Sequence, residues 1–253
     1  MSSISSPKLT TTQIKTHKTI LFIISIFFIA LVSLLYLSVR KPFKSGDGKI
    51  FVINTYGYVL AAILIVMMTI LSMDINSYDV NLIRIFAAFI LSMICIFAMY
   101  GTKSKIIKHI FWLSFVISMA VIMYPIYKKT VNDKTLPNVL ITLAILTSVL
   151  TLFVFFSKRE RFASWGSYLM CGLLSLIIFQ LLDIMFFDPS YKKLKIYGIV
   201  TVVLFSGFLL YDTDVLLTKS KNITNPDYPI ESMDLFLDVA NLFSGLASAS
   251  DKH

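Results

Sequence analysis

The sequence predicts an all-α, multi-pass membrane protein in which one helical bundle takes up the chain. Apolar residues make up 57% of the 253 residues and charged residues only 15%, against roughly a quarter in an ordinary soluble domain. The apolar residues are collected in long runs without Lys, Arg, Asp or Glu, and short polar stretches separate the runs. This pattern excludes a soluble enzyme and a disordered chain.

Seven of the runs are long enough to be transmembrane helices, because a helix needs about 20 residues to cross a bilayer core of about 30 Å. The predicted spans are 19–39, 50–73, 85–102, 110–127, 135–157, 162–182 and 196–211. An eighth segment, 233–246, is shorter and carries Asp234 and Asp238. No connection is long enough to hold a separate soluble domain.

The first run follows a polar tail and is longer than the apolar region of a typical signal peptide, and no small-residue cleavage pattern follows it. We therefore predict that it is a retained transmembrane helix. The domain prediction is a polar tail with an extra helix over residues 1–45, and a transmembrane domain over residues 46–253.

The net charge of +9 comes from 23 Lys and Arg residues, which cluster in the connections between the runs. Basic residues at these positions contact lipid headgroups, so the predicted partner is the lipid bilayer and not nucleic acid. The distribution of basic residues slightly favours a cytoplasmic position for the 158–161 connection.

Acidic residues are concentrated near the C-terminus. The chain has 14 of them, and six lie between Asp212 and Asp238. Asp234 and Asp238 are four residues apart and share one helix face, and Asn241 continues that face. Lipid rejects such a polar stripe, so we expect it to face the inside of the bundle. Asp212 is predicted to end the preceding helix, where it could face Asp238.

Other charged residues at the edges of runs are candidate supporting residues, because charge at membrane depth is costly. They are Arg84, Asp183, Asp214 and Asp234. Each also has a structural interpretation. Asp214 and Asp234 are interpreted first as headgroup-level or capping residues at helix ends, and Asp183 as an interfacial residue. Arg84 either extends to the interface or pairs with a carboxylate.

Three segments carry a resemblance to a known family. Residues 205–213, FSGFLLYDT, resemble the YDT helix of the BAX inhibitor-1 family, also called the lifeguard family. Residues 235–243, LFLDVANLF, are similar to its terminal LYLDxxNLF segment. Residues 152–166 are similar to its TKxDFxxxG loop, with Glu160 and Arg161 where the family prefers an acid followed by Phe.

The resemblance implies a seven-helix fold with the last helix at its centre, to which the predicted first helix would be an addition. It also implies a calcium leak pathway closed by an aspartate pair, here Asp212 and Asp238, and inhibition of apoptosis. It implies residence in endoplasmic reticulum or Golgi membranes if the source is eukaryotic or viral. Calcium would be a permeating or bound ion and no cofactor is expected. Membrane proteins of cell-death or calcium signalling are the expected protein partners.

The physical chemistry of two carboxylates agrees with this expectation. Calcium prefers oxygen ligands, which Asp212 and Asp238 would supply. Two carboxylates about 4 Å apart repel each other by about 4 kcal/mol at an effective dielectric of about 20, so one of them should hold a proton near neutral pH. The pair would then titrate as a unit and make the leak sensitive to pH.

Two alternatives use the same carboxylates differently. In a proton-coupled transporter they form a relay, although no internal repeat supports that class. In a non-conducting membrane interaction protein that modulates cell death, they connect helices. An intramembrane hydrolase is disfavoured because the runs lack a histidine, a nucleophile motif and metal-ligand spacing, so no enzyme activity is expected.

Overall fold

The structure is a computed structural model that describes residues 48–75, 81–186 and 191–250. These residues form seven α-helices and one short 3₁₀ helix, with no strand among them. The α-helices are α1 (Gly48–Ile75), α2 (Leu82–Gly101), α3 (Lys105–Asn132), α4 (Leu136–Phe156), α5 (Gly166–Phe186), α6 (Tyr191–Lys219) and α7 (Tyr228–Ala249). The 3₁₀ helix, Ala163–Trp165, precedes α5 directly.

Six of the seven helices, α1 to α6, are long and apolar enough to cross a membrane by length and composition. This confirms the predicted class, an all-α multi-pass membrane protein. The predicted extra helix at 19–39 lies outside the described residues, so that helix and the domain boundary near residue 45 stay predictions.

Local sequence signals fix several of the helix starts. Asn81 precedes α2, and its side-chain oxygen accepts a hydrogen bond from the backbone N–H of Arg84, as an N-capping residue does. Pro137 and Pro229 lie in the first turns of α4 and α7, where a missing backbone donor has no cost.

The two C-terminal helices are longer than predicted, and this corrects the positions of the acidic residues. The predicted span 196–211 is extended in α6 to Tyr191–Lys219, and the predicted segment 233–246 is extended in α7 to Tyr228–Ala249. Asp212 therefore lies inside α6 and not at its end. The prediction was wrong because it ended each run at the first charge, whereas a helix continues where its charged side chains are satisfied within the protein.

The described residues fall into two compact units. One comprises residues 60–75 and 81–124, and the other comprises residues 48–59, 125–186 and 191–250. The boundary in α3 falls at Pro125, which lies inside that helix and cannot donate a backbone hydrogen bond. The carboxylates predicted to form a pair belong to the second unit.

In the second unit, α7 packs against α6 and α4, and α5 packs against α6. The helices α6 and α7 run antiparallel, since Gly198 near the start of α6 meets Gly245 near the end of α7. A Cβ atom on Gly198 would lie 2.8 Å from the carbonyl oxygen of Gly245. Only glycine permits this approach, which brings the two helix backbones together.

An aromatic cluster holds the first turns of α1 to the start of α7. The ring of Tyr228 stacks on Tyr58 at 5.6 Å between centroids and lies 6.0 Å from Phe51. The amide of Asn54 donates a hydrogen bond to the Tyr228 hydroxyl at 3.1 Å. These contacts satisfy the polar end of Tyr228 in an apolar setting, as buried tyrosines require.

Candidate functional site

The acidic residues of α6 and α7 meet at one place. The carboxyl groups of Asp212 and Asp238 lie within range of a direct side-chain interaction. Asp238 is only 3% exposed, and Asp212 is half-buried. The Oδ2 atom of Asp238 is buried and has no hydrogen-bond partner within the described residues. A buried acceptor without a partner is costly in a folded protein and points to a functional role.

Hydroxyl side chains from α1, α4 and α6 lie near these two residues. The hydroxyl groups of Tyr56 in α1 and Thr213 in α6 are hydrogen-bonded at 3.0 Å, and Tyr56 also contacts Thr151 of α4. Thr213 is fully buried, and the phenol of Tyr56 is within electrostatic range of Asp238. The sequence analysis did not select these residues, because a single Tyr or Thr in an apolar run gives no distinct signal.

Asp234 and Lys219 add charges of opposite sign near the pair. Asp234 acts electrostatically on both Asp212 and Asp238, and Lys219 acts on both Asp212 and Asp234. Lys219 also forms an ion pair of 2.8 Å with Glu231. Asp234 is exposed in the second turn of α7, so its interpretation as a helix cap is wrong.

Asn241 was predicted to continue the polar stripe. It is half-buried, and its side-chain amide donates a hydrogen bond of 2.8 Å to the carbonyl oxygen of Leu237. The Asn241 amide therefore donates to a backbone carbonyl of its own helix. No hydrogen bond from it to Asp212 or Asp238 is found among the described residues.

Asp214 has a different role from the one its position in the sequence suggested. It is 1% exposed and lies inside α6, so its predicted position at the end of that helix is wrong. Its two carboxylate oxygens accept hydrogen bonds from the backbone N–H groups of Glu160, at 3.0 Å, and Phe162, at 2.9 Å. Glu160 has φ 64°, a left-handed conformation that non-glycine residues rarely adopt. Asp214 thus fixes the connection between α4 and α5 to α6.

A second contact joins the same two segments. A Cβ atom on Gly166, at the start of α5, would lie 2.8 Å from the ring of Tyr211. Gly166 ends the segment that resembles the family's loop, and Tyr211 begins the YDT triplet. The structure therefore explains why these two motifs occur together, since they pack against each other.

The remaining candidates are Asp183 and Arg84. Asp183, near the end of α5, forms an ion pair of 2.7 Å with Lys193 near the start of α6. Arg84 is exposed in the first turn of α2 and belongs to the other compact unit. Neither residue contributes a described contact to Asp212 or Asp238.

One buried acid was missed. Asp74 is 2% exposed, and one of its oxygens accepts a hydrogen bond from the Tyr124 hydroxyl at 3.4 Å within the first unit. The sequence analysis placed it in a connection, because it follows the last apolar residue of its run. The helix continues past it to Ile75.

The ligand atoms available for a metal ion are few. The described residues contain no group of three or more His, Cys, Asp or Glu side chains suited to hold one. Two carboxyl groups supply at most four oxygen ligands, fewer than the 6–8 that calcium normally takes.

Within the described residues, six long apolar helices define a multi-pass helical membrane protein, and Asp212 and Asp238 lie near each other on the last two helices. Residues 48–249 match the family described as "Inhibitor of apoptosis-promoting Bax1". The chain belongs to this family, the Bax inhibitor-1 or lifeguard family, as the resemblance in the sequence had indicated.

Individual relatives match the chain over a shorter length. It is 33% identical over 115 residues to Protein LIFEGUARD 4 of Arabidopsis thaliana, covering 43% of this chain and 45% of the relative. It is 28% identical over 116 residues to Bax inhibitor 1 of Homo sapiens, covering 46% of this chain and 48% of the relative. The chain thus matches less than half the length of these relatives.

Proposed function

We propose that this protein is a pH-sensitive calcium leak channel that the Asp212–Asp238 pair gates, and that it inhibits apoptosis. The observation that carries the proposal is the proximity of these two carboxyl groups at the interface of α6 and α7, within range of a direct side-chain interaction. The name of the family and those of its relatives support the link to cell death. Endoplasmic reticulum or Golgi membranes are the proposed location, and calcium-signalling or cell-death membrane proteins are the proposed partners.

The gate follows from the chemistry of the pair. A hydrogen bond between two carboxyl groups needs one proton, because two ionised carboxylates can only accept. When that proton leaves, repulsion of about 4 kcal/mol replaces the bond, for charges about 4 Å apart at an effective dielectric of about 20. The proton therefore holds α6 and α7 together at this level, and its loss favours their separation.

The neighbouring groups fit an ion pathway better than a purely structural contact. The Oδ2 atom of Asp238 has no hydrogen-bond partner within the described residues and could serve as an oxygen ligand. Asp234 extends the negative potential toward the start of α7. The positive charge of Lys219 interacts electrostatically with Asp212 and Asp234. A divalent cation that enters would compete electrostatically with Lys219 for these carboxylates.

The experiment is calcium flux into liposomes across roughly pH 6 to 8, a window chosen around the expected shared proton. Asp212→Asn and Asp238→Asn should each abolish the pH dependence of flux, since an amide donates without a titrating proton. The double variant should add little, because the two residues act as a unit. Asp183→Asn is the matched control, since it removes one half-buried carboxylate whose ion pair is elsewhere.

The alternative outcome is equally specific. If Asp238→Asn keeps the wild-type pH profile of calcium flux, the pair does not gate. The carboxyl groups would then connect α6 and α7 in a non-conducting interaction protein. A proton current that depends on Asp238 and moves no calcium would instead favour the transporter.

A further inference from the structure

The connection between α4 and α5 forms an open cleft of about 660 Å³ that the carboxyl pair does not use. It is lined by Phe153, Phe156, Ser157, Lys158, Arg159 and Arg161. Three cations and two aromatic rings thus share one concave surface. The three cationic side chains form no ion pair within the part of the chain that the structure describes.

One of the cations, Arg161, is held in place before any ligand arrives. The guanidinium group of Arg161 lies 5.7 Å from the ring centroid of Phe153 and 5.9 Å from that of Phe162, which are cation–π distances. Phe162 is itself fixed, because its backbone N–H donates to Asp214 and its ring packs edge-on against Trp165 at 5.0 Å. The ordering cost of binding is therefore reduced.

The position of the cleft identifies the class of ligand. Phe156, in the last turn of α4, is 87% exposed, and Leu152 and Val149 continue the exposed apolar surface along α4. Trp165 and Tyr168 are also exposed just after the connection, and such residues are enriched where a membrane meets water. The cleft therefore lies where an apolar, lipid-facing helix surface ends in a cationic loop.

We propose that this cleft binds the phosphate group of an anionic phospholipid, with its acyl chains against the end of α4. Arg159, Lys158 and Arg161 would hold the headgroup, since guanidinium groups suit phosphate oxygens. The exposed ring of Phe156 would contact the upper part of the acyl chains. A soluble anion would contact only the three cationic side chains, and Phe156 would not contribute to its affinity.

The test is native mass spectrometry of the full chain in mixed micelles of phosphatidylserine and phosphatidylcholine with identical acyl chains. Arg159→Gln/Arg161→Gln should retain roughly tenfold less phosphatidylserine than wild type, with phosphatidylcholine unchanged. Lys103→Gln/Lys105→Gln is the matched control, because it removes the same charge from two exposed lysines just before α3 and at its first residue. That control should change retention by about twofold or less.

Two further variants test whether retention follows the charge of the cleft and whether the acyl chains contribute. Competition with inorganic phosphate tests whether the ligand is a lipid or a free anion. Glu160→Gln removes the only negative side chain within 158–161 and should raise phosphatidylserine retention. Phe156→Ser should lower it, and inorganic phosphate equimolar with the lipid should not displace the lipid. If the double arginine variant does not fold, Arg159→Gln alone carries the test and leaves the ring contacts of Arg161 intact.

Equal losses in the two double variants would overturn the proposal, since they would show diffuse attraction to charge. Displacement by inorganic phosphate would also overturn it and would identify a free-anion site. A second measurement locates the lipid: brominated phosphatidylserine should quench the fluorescence of Trp165 in a Trp112→Phe background more than brominated phosphatidylcholine does. Equal quenching by both lipids would contradict binding at this cleft.

Discussion

The helices α4 and α7 are nearly equal in length, yet their environments are opposite. Helix α4 has no charged residue and buries only Val139 and Val154. Helix α7 carries Glu231, Asp234 and Asp238 and buries 12 of its 22 residues. The most apolar helix is thus the more exposed of the two, and the more polar helix is the more buried. Lipid accepts apolar side chains but offers no partner to a charged one, so the charged helix packs against protein.

The largest effect is expected from making the surface of α4 resemble that of α7. Ile145 is 60% exposed in the middle of α4. Ile145→Asp should cost about 2.5–3.5 kcal/mol of insertion free energy, since lipid offers the carboxylate no partner. The measurement is the inserted fraction in microsomes, with Ile145→Leu as the control. An unchanged inserted fraction would show that α4 does not face lipid.

A smaller effect is expected from preventing α7 from approaching α6. A Cβ atom on Gly245 would lie 3.0 Å from the Gly198 carbonyl oxygen and 3.0 Å from Cγ2 of Val202. Gly245→Leu should therefore lower the free energy of unfolding by about 1–3 kcal/mol through overpacking. Ala144→Leu, at an exposed position of α4, should be nearly neutral. Thermal unfolding in detergent measures both, and similar melting temperatures would argue against the close helix contact.

An intermediate effect is expected from weakening the contact between Asp214 of α6 and the connection that follows α4. Asp214→Asn keeps one acceptor oxygen and loses one of the two backbone hydrogen bonds, so it should cost about 1–3 kcal/mol. Trypsin should then cleave faster after Lys158, Arg159 and Arg161, while the pH response of calcium flux stays intact. Asp183→Asn is the control, because its partly exposed ion pair contributes about 0–1 kcal/mol. Unchanged cleavage would contradict the role of Asp214.

The smallest effect concerns the charged end where α7 begins. The Lys219–Glu231 ion pair is partly exposed, with side-chain exposures of 48% and 18%. Lys219→Gln should therefore lower the free energy of unfolding by less than about 1 kcal/mol, and less at high salt. Lys221→Gln, at an exposed position, is the matched control. A larger loss that does not respond to salt would assign Lys219 a buried role at the carboxyl pair.

The helices themselves were predictable, and their ends were not. Apolar runs located α1 to α6, since a segment without charge that is long enough to cross a membrane has few other stable structures there. Their ends depend on what satisfies the next polar residue. Asp214 continues α6 because two backbone N–H groups from a distant connection meet it. No local pattern at residues 212–214 contains that information.

The sequence by itself determined the class of protein, the family and the two acids most suited to form a pair. The apolar composition predicts that lipid surrounds the chain. Two short motifs placed Asp212 and Asp238 on consecutive helices. Only the tertiary structure decided that their carboxyl groups come within range of each other, that Asp214 holds a connection and that Tyr56 reaches Thr213. These contacts join residues between 26 and 157 positions apart in sequence. Helical periodicity relates only residues on the same helix, so such contacts depend on how the helices pack.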